Sequence, residues 1–242
     1  MMESFNLNNT IIAFVIILLY LIYVYAFKNG YPTCENYVIN TYLYLALSVC
    51  YIYFNVTKLK SYANYPFLAF IVAIISMLYI SLNKAKTQTG ILINHTVWFL
   101  FLTCMSLLLI PIASISSNEM INTALYFTFT IFIIMSALVY FFPKFFEKNF
   151  NFVYPGLLVS LIMIILIELY YIYIKQNYPI IIYRYISYAI IVIFSLYVSY
   201  DTQLMFEEAE NCRKYANYPD SSMKFILDII NLFSRMLAVQ QK

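Results

Sequence analysis

Tyr200-Asp201-Thr202-Gln203-Leu204-Met205-Phe206-Glu207-Glu208-Ala209-Glu210 and, after a short polar loop, Phe225-Ile226-Leu227-Asp228-Ile229-Ile230-Asn231-Leu232-Phe233-Ser234-Arg235 mark where a nearly unbroken apolar chain turns polar. Asp201 closes one apolar run and Asp228 sits a few residues into the next. An ionisable group inside a membrane helix is costly, so by default it marks a functional site. The remaining chain reads as a scaffold that holds these two acids.

The composition around them leaves one class. Of 242 residues, 64% are hydrophobic and 10% charged, with a mean hydropathy of +0.79. A soluble domain of that composition would have far too apolar a surface. The sequence therefore predicts an all-α, polytopic membrane bundle whose partner is the lipid bilayer. Continuous apolar runs exclude a β-barrel, which needs alternating segments of about 10 residues. The net charge of +3 is spread over connectors, so it argues orientation and not nucleic-acid binding. The four cysteines, Cys34, Cys50, Cys104 and Cys212, form neither a C-x-x-C nor a metal-binding spacing. Two of them lie in apolar runs, where a free thiol behaves as a small hydrophobe.

A span needs about 20 apolar residues. Eight runs meet or approach that length: 10–27, 37–57, 66–82, 91–110, 121–141, 154–174, 181–203 and 223–239. The connectors between them are short and polar, the last being 204–222. The first run has no basic start and no small-residue cleavage site after it, so it is expected to be a retained extra span. The chain then divides into 1–36, an N-terminal hydrophobic segment with its connector, and 37–242, a seven-helix domain. Lys and Arg set the orientation. Lys28, Lys84, Lys86, Lys144, Lys148, Arg213, Lys214 and Lys224 fall on one side, and Lys58, Lys60, Lys175, Arg184 and Lys242 on the other. This bias puts the 204–222 connector in the cytosol, with Asp201 and Asp228 at similar depth near that face. Tyr-Ala-Asn-Tyr-Pro occurs at 62–66 and again at 215–219, a coincidence in a chain so rich in Tyr and Asn.

Asp228, Asn231 and Arg235 are spaced i, i+3, i+7 and share one polar stripe of the last helix. Two carboxylates a few ångströms apart cannot easily both ionise, so they titrate as a unit. Such a pair suits a proton sensor or a hard-cation site, since Ca²⁺ prefers carboxylate and carbonyl oxygens. The alternative is a structural ion pair between Asp228 and Arg235, with Asp201 merely capping a helix end. Glu168, alone in the sixth run, either lines a pathway or snorkels to the interface. His95 opens the fourth run and reads as hydrogen-bonded structure before it reads as a sensor. Glu207, Glu208 and Glu210 read as a solvated helix extension. Asn8-Asn9-Thr10, Asn55-Val56-Thr57 and Asn94-His95-Thr96 match the glycosylation pattern, the last two within or at the edge of spans. No G-x-S-x-G, H-E-x-x-H or P-loop occurs, so the chain is not expected to be an enzyme. An intramembrane aspartyl protease would also use two membrane aspartates. Tyr200-Asp201 mimics half of its pattern, but Ile226-Leu227-Asp228 lacks the glycines of the other half.

At these same residues the chain resembles the Bax-inhibitor family, the transmembrane BAX inhibitor motif proteins. Tyr200-Asp201-Thr202-Gln203-Leu204 with Glu208-Ala209-Glu210 is similar to the family's sixth-helix signature. Phe225-Ile226-Leu227-Asp228-Ile229-Ile230-Asn231-Leu232-Phe233 is similar to that of its seventh helix. Leu107-Leu108-Leu109-Ile110-Pro111-Ile112 resembles the end of its third. The resemblance covers roughly 37–242 as seven spans and leaves the first run as an addition.

The resemblance implies a protein of ER, Golgi or related membranes, or of the plasma membrane in a prokaryote. It would permit a pH-sensitive Ca²⁺ leak and oppose cell death, with apoptosis-regulating membrane proteins as possible partners. Asp201 and Asp228 would be the paired aspartates that share a proton and gate the pore. No cofactor is expected beyond Ca²⁺ as the permeant or transiently bound ion. Bacterial relatives latch this pair with an arginine at the end of the second helix. Here that region reads Lys84-Ala85-Lys86-Thr87-Gln88-Thr89, so Lys84 or Lys86 would have to serve, without the bidentate fork. A non-conducting adaptor that suppresses cell death by binding partner helices is the other function class.

Overall fold

The computed structural model describes residues 2–59, 66–83, 86–171 and 179–240. Among them are eight α-helices: α1 (Met2–Ala26), α2 (Tyr37–Lys58), α3 (Pro66–Leu82), α4 (Gln88–Ile115), α5 (Asn118–Phe141), α6 (Pro143–Leu169), α7 (Ile180–Asn211) and α8 (Tyr218–Gln240). Within the described residues every apolar run of the sequence overlaps one of them. By length and composition, α2, α4, α5 and α7 are fit to cross a membrane, while Ile12–Ala26, Pro66–Leu82 and Val153–Leu169 are shorter apolar stretches.

The distribution of side chains is that of a protein in lipid. Large apolar groups stand outward along most helices, among them Ile16, Phe67, Tyr126, Ile133 and Val192, each at least 60% exposed. Small polar groups lie inside: Thr41, Ser48, Ser106, Thr128, Ser187, Ser199 and Thr202 are buried. Several hydroxyls bond to the carbonyl four residues back, as Ser48 does to Tyr44 and Ser106 to Leu102. That local bond satisfies a hydroxyl where no water reaches.

The chain divides into two compact units. Unit 1 is Met1–Pro111 with Phe206–Ile226, and unit 2 is Ile112–Met205 with Leu227–Lys242. The first boundary falls at Pro111 inside α4. A proline there has no N–H to give the preceding turn, so the helix is weakest at that point.

Unit 1 departs from an all-α description in one detail. β1 (Phe27–Lys28) and β2 (Tyr31–Pro32) pair antiparallel, with Phe27 opposite Pro32 and Lys28 opposite Tyr31. Asn29 (φ 54°) and Gly30 (φ 78°) form the turn. Both positions require positive φ, the geometry for which Asn-Gly is the preferred sequence in a two-residue hairpin. Cys34, just beyond the hairpin, is disulfide-bonded to Cys212 across 178 residues of sequence. The sequence had offered no reason to pair these two. Cys50 and Cys104 are free, in apolar surroundings as expected.

The end of α7 also differs from expectation. The apolar run stops at 203, but the helix continues to Asn211, which shrinks the connector to residues 212–217. Asp201 thus lies ten residues inside the helix, or about 15 Å from its end, and it does not cap it.

Candidate functional site

Within unit 2, α7 presents Asp201 and α8 presents Asp228, and their carboxyl groups are hydrogen-bonded to each other. Asp228 is buried, at 3% exposure, and Asp201 is half-buried. A carboxylate only accepts hydrogen bonds, so an acid–acid bond requires a proton between the two groups. The other Asp228 oxygen, Oδ2, has no hydrogen-bond partner. A buried acceptor left open in this way is costly.

The wall beside the pair is aromatic. Tyr197, one turn before Asp201, is within electrostatic reach of both acids and of Tyr154 and Tyr200. The Tyr154 and Tyr200 rings stack with centroids 4.2 Å apart. One residue past Asp201, the Thr202 hydroxyl donates to Val198 O at 2.7 Å and meets Ser136 Oγ of α5 at 3.1 Å. Low-dielectric walls strengthen any charge interaction at the pair.

The rest of the polar stripe on α8 does something else. Arg235 does not pair with Asp228. Its Nη1 and Nη2 donate to Glu168 Oε1 and Oε2 of α6 at 2.6 and 2.9 Å, a fork-to-carboxylate bidentate contact. Glu168 is therefore held by a cation inside unit 2. The side chain of Asn231 donates back to Leu227 O at 2.8 Å. So the spacing i, i+3, i+7 correctly grouped these residues on one face, but each has a different partner.

The second polar cluster lies in unit 1. Glu208 is its centre: Oε1 accepts from Lys224 Nζ at 2.6 Å, and Oε2 accepts from Ser221 Oγ at 2.7 Å and Tyr37 OH at 3.1 Å. Lys224 also reaches Asp220 Oδ2 at 3.3 Å, and Ser81 Oγ donates to Asp220 Oδ1 at 2.6 Å. The solvated extension expected for the three glutamates describes Glu207 and Glu210, which are exposed, but not Glu208. A run of three acids gives no sign of which one faces inward. That required Tyr37 and Lys224, which are distant in sequence.

His95 and the asparagines of two glycosylation patterns lie in unit 1. His95 Nδ1 meets Ile91 O at 2.8 Å and Nε2 meets Tyr44 OH at 2.7 Å. A carbonyl only accepts, so Nδ1 carries the proton and Nε2 accepts from the tyrosine; the neutral ring is complete as a structural element. Asn55 and Asn94 are buried, which removes both as glycan acceptors in the folded protein. Lys86 is exposed and lines a cavity of unit 1. Lys84 and residues 62–65, the body of the first Tyr-Ala-Asn-Tyr-Pro copy, lie outside the described residues. Among the described residues no group of three or more His, Cys, Asp or Glu could hold a metal ion. Two acids alone fall short of the six to eight oxygens of a resident Ca²⁺ site.

Fold and site together define a multi-helix membrane protein with an acid pair held between its last two helices. A family model described as "Inhibitor of apoptosis-promoting Bax1" matches residues 34–241, and the chain belongs to that Bax-inhibitor family. Among curated proteins, none matches the chain.

Proposed function

We propose that this Bax-inhibitor-like membrane protein permits a pH-sensitive Ca²⁺ leak from an intracellular store and thereby suppresses cell death. The architecture that goes with this reading is seven core spans plus the N-terminal α1 as an eighth, in an ER or Golgi membrane. The hydrogen bond between the Asp201 and Asp228 carboxyls carries it. That bond exists only while a proton is shared, so losing the proton sets two like charges against each other in a poorly solvated place. Repulsion then biases the helices toward a more open arrangement, and protonation biases them back. Ca²⁺ is the cargo of this pathway and the pair is its gate, touched only in passing.

Ca²⁺ efflux from proteoliposomes between pH 5 and 8 tests the proposal, comparing wild type with Asp201→Asn and Asp228→Asn. The expected result is a flux whose pH midpoint moves in both variants. Flux that is unchanged in Asp201→Asn/Asp228→Asn, with its pH response intact, would sink the gating role. No conduction by wild type at any pH would leave partner binding as the function.

A further inference from the structure

Unit 1 holds the Cys34–Cys212 bond where a small thiol can meet it. Both cysteines are half-buried and neither is sealed in the core. Cys212 also lines a cavity of about 420 Å³, a volume in the range of small-molecule sites. We propose that Cys34 and Cys212 form a reversible thiol–disulfide exchange site for a glutathione-class thiol, and that closing it clamps the α7–α8 connector to the segment leading into α2.

Reversibility follows from what else joins the two bridged segments. Tyr215 of the connector stacks on Tyr31 of β2 with ring centroids 5.1 Å apart. Asn217 Nδ2 donates to Ile80 O at 3.1 Å, and its Oδ1 accepts from Asn94 Nδ2 at 2.8 Å. At the start of α8 the Tyr218 hydroxyl donates to Thr33 O, beside Cys34, and accepts from Asn40 Nδ2 at 3.0 Å. These contacts survive reduction, so the two thiols stay near the 5.7 Å Cα separation of the bridged form, which is ordinary for a disulfide. The pair can therefore reclose without a search. Structural disulfides serve above all domains too small for a sufficient core, whereas unit 1 buries Trp98, Tyr44 and Tyr218.

The clamp follows from where the contacts stop. Arg213 and Lys214, between Cys212 and Tyr215, are exposed, and neither forms an ion pair among the described residues. Lys214 lies over the Tyr215 ring, 5.0 Å from its centroid, a contact inside the connector itself. The disulfide is thus what fixes the first half of the connector to the rest of unit 1, and opening it releases residues 212–214 while the second half stays docked.

In the opening step a glutathione thiolate attacks Cys212 Sγ, on the cavity side, and the S–S bond breaks with Cys34 leaving as a thiolate that takes a proton. A second glutathione thiolate attacks the glutathione sulfur of this mixed disulfide, so Cys212 leaves as a thiolate and is protonated in turn. The protein gains two electrons and two protons, and two glutathiones become one glutathione disulfide. The same steps run backwards where glutathione disulfide accumulates.

The test uses the full chain in phosphatidylcholine nanodiscs, equilibrated in glutathione buffers from a cytosol-like to an ER-like poise. Acid quenching and maleimide mass tagging read the bridged fraction. Trypsin cleavage after Arg213 and Lys214, resolved by mass, reads the connector, with cleavage after the exposed Lys58 as the control for global opening. The bridged fraction should rise from about a tenth or less to about nine tenths or more over that range. Trypsin should cut the bridged connector at least about fivefold more slowly than the reduced one, with cleavage after Lys58 unchanged. Cys34→Ser should melt like reduced wild type and be cut at the reduced rate in every buffer. A pair that stays bridged at the cytosol-like poise, or never bridges, overturns the exchange site. Cutting that is indifferent to bridging, or that still follows the buffer in Cys34→Ser, overturns the clamp.

Discussion

Replacing Arg235 by Met should destabilise the protein more than any other single change in the α8 stripe, and replacing Glu168 with it should recover most of the loss. The two groups contact through both nitrogens and both oxygens, at 2.6 and 2.9 Å, with side chains 20% and 16% exposed. Removing Arg235 alone strands a mostly buried carboxylate, at a cost of about 3–5 kcal/mol for a pair of this kind. Removing both leaves apolar groups of similar volume, which is near neutral because the desolvation penalty of the pair disappears too. For a chain of this length, about 3 kcal/mol corresponds to roughly 6–12 °C in melting temperature. A thiol-reactive dye reporting exposure of the buried Cys104 during heating in detergent reads that shift. The expected pattern is a large loss for Arg235→Met, a comparable one for Glu168→Met, and a double variant within a few degrees of wild type. Single variants that melt like wild type, or losses that simply add, would refute the argument, because they would mean that neither charge depends on the other.

Other consequences follow from unit 1. Tyr44→Phe should cost about 2 kcal/mol, since it leaves His95 Nε2 inside the protein without its donor; the same dye melt checks it. Treatment with a glycosidase should not change the gel mobility of the expressed protein through Asn55 or Asn94, which are buried; loss of a glycan on Asn94→Gln would contradict that burial. The Cys34–Cys212 bond closes a 178-residue separation, worth at most about 5 kcal/mol in the chain-entropy treatment, so air-oxidised Cys212→Ser should melt clearly below wild type. The distribution of Lys and Arg leads to the expectation that this pair faces the cytosol, where thiols stay reduced. In untreated cells both cysteines should therefore take a thiol reagent and bridge only on addition of an oxidant. A pair already fully oxidised would place the connector in an oxidising compartment and reverse the orientation.

Much of the architecture was legible because lipid imposes length. A helix must be long and apolar to span, so runs such as 37–57 and 66–82 foretell α2 and α3 nearly to the residue. The acids were legible for the converse reason, since Asp201 and Asp228 break that rule where breaking it is expensive. What stayed hidden depends on partners far apart in sequence. Nothing near Glu168 announces Arg235, 67 residues on, and nothing near Cys34 announces Cys212. The hairpin was a different miss. Asn29-Gly30 carries a strong turn signal, but its flanking strands are two residues each and leave no alternating pattern to read. The continuation of α7 past 203 was lost because polarity ends a span without ending a helix: residues 204–211 keep helical backbone hydrogen bonding after leaving the apolar register.

The two acidic clusters differ in whether a buried carboxylate oxygen is left without a donor, and that difference bears on which one can act as a switch. Glu208 is fixed by Lys224 and by the mutually hydrogen-bonded hydroxyls of Tyr37 and Ser221, so displacing it breaks contacts to α2 and α8 together. Asp220 adds Ser81 to the network and shares Lys224 with Glu208. A network satisfied at every member resists rearrangement because each loss is a full desolvation penalty. The acid pair of unit 2 has the opposite construction. In it Asp228 Oδ2 is already without a donor, so a rearrangement that wets that oxygen recovers energy rather than losing it. A bistable element needs two states within a few kcal/mol of each other. A saturated network places its alternatives far above the native state, whereas an undersaturated buried pair has a native arrangement that a hydrated alternative can approach. Asp228→Asn supplies a donor without a charge and should therefore alter the response to pH with little loss of stability. Glu208→Gln, which removes the charge that Lys224 faces, should do the reverse.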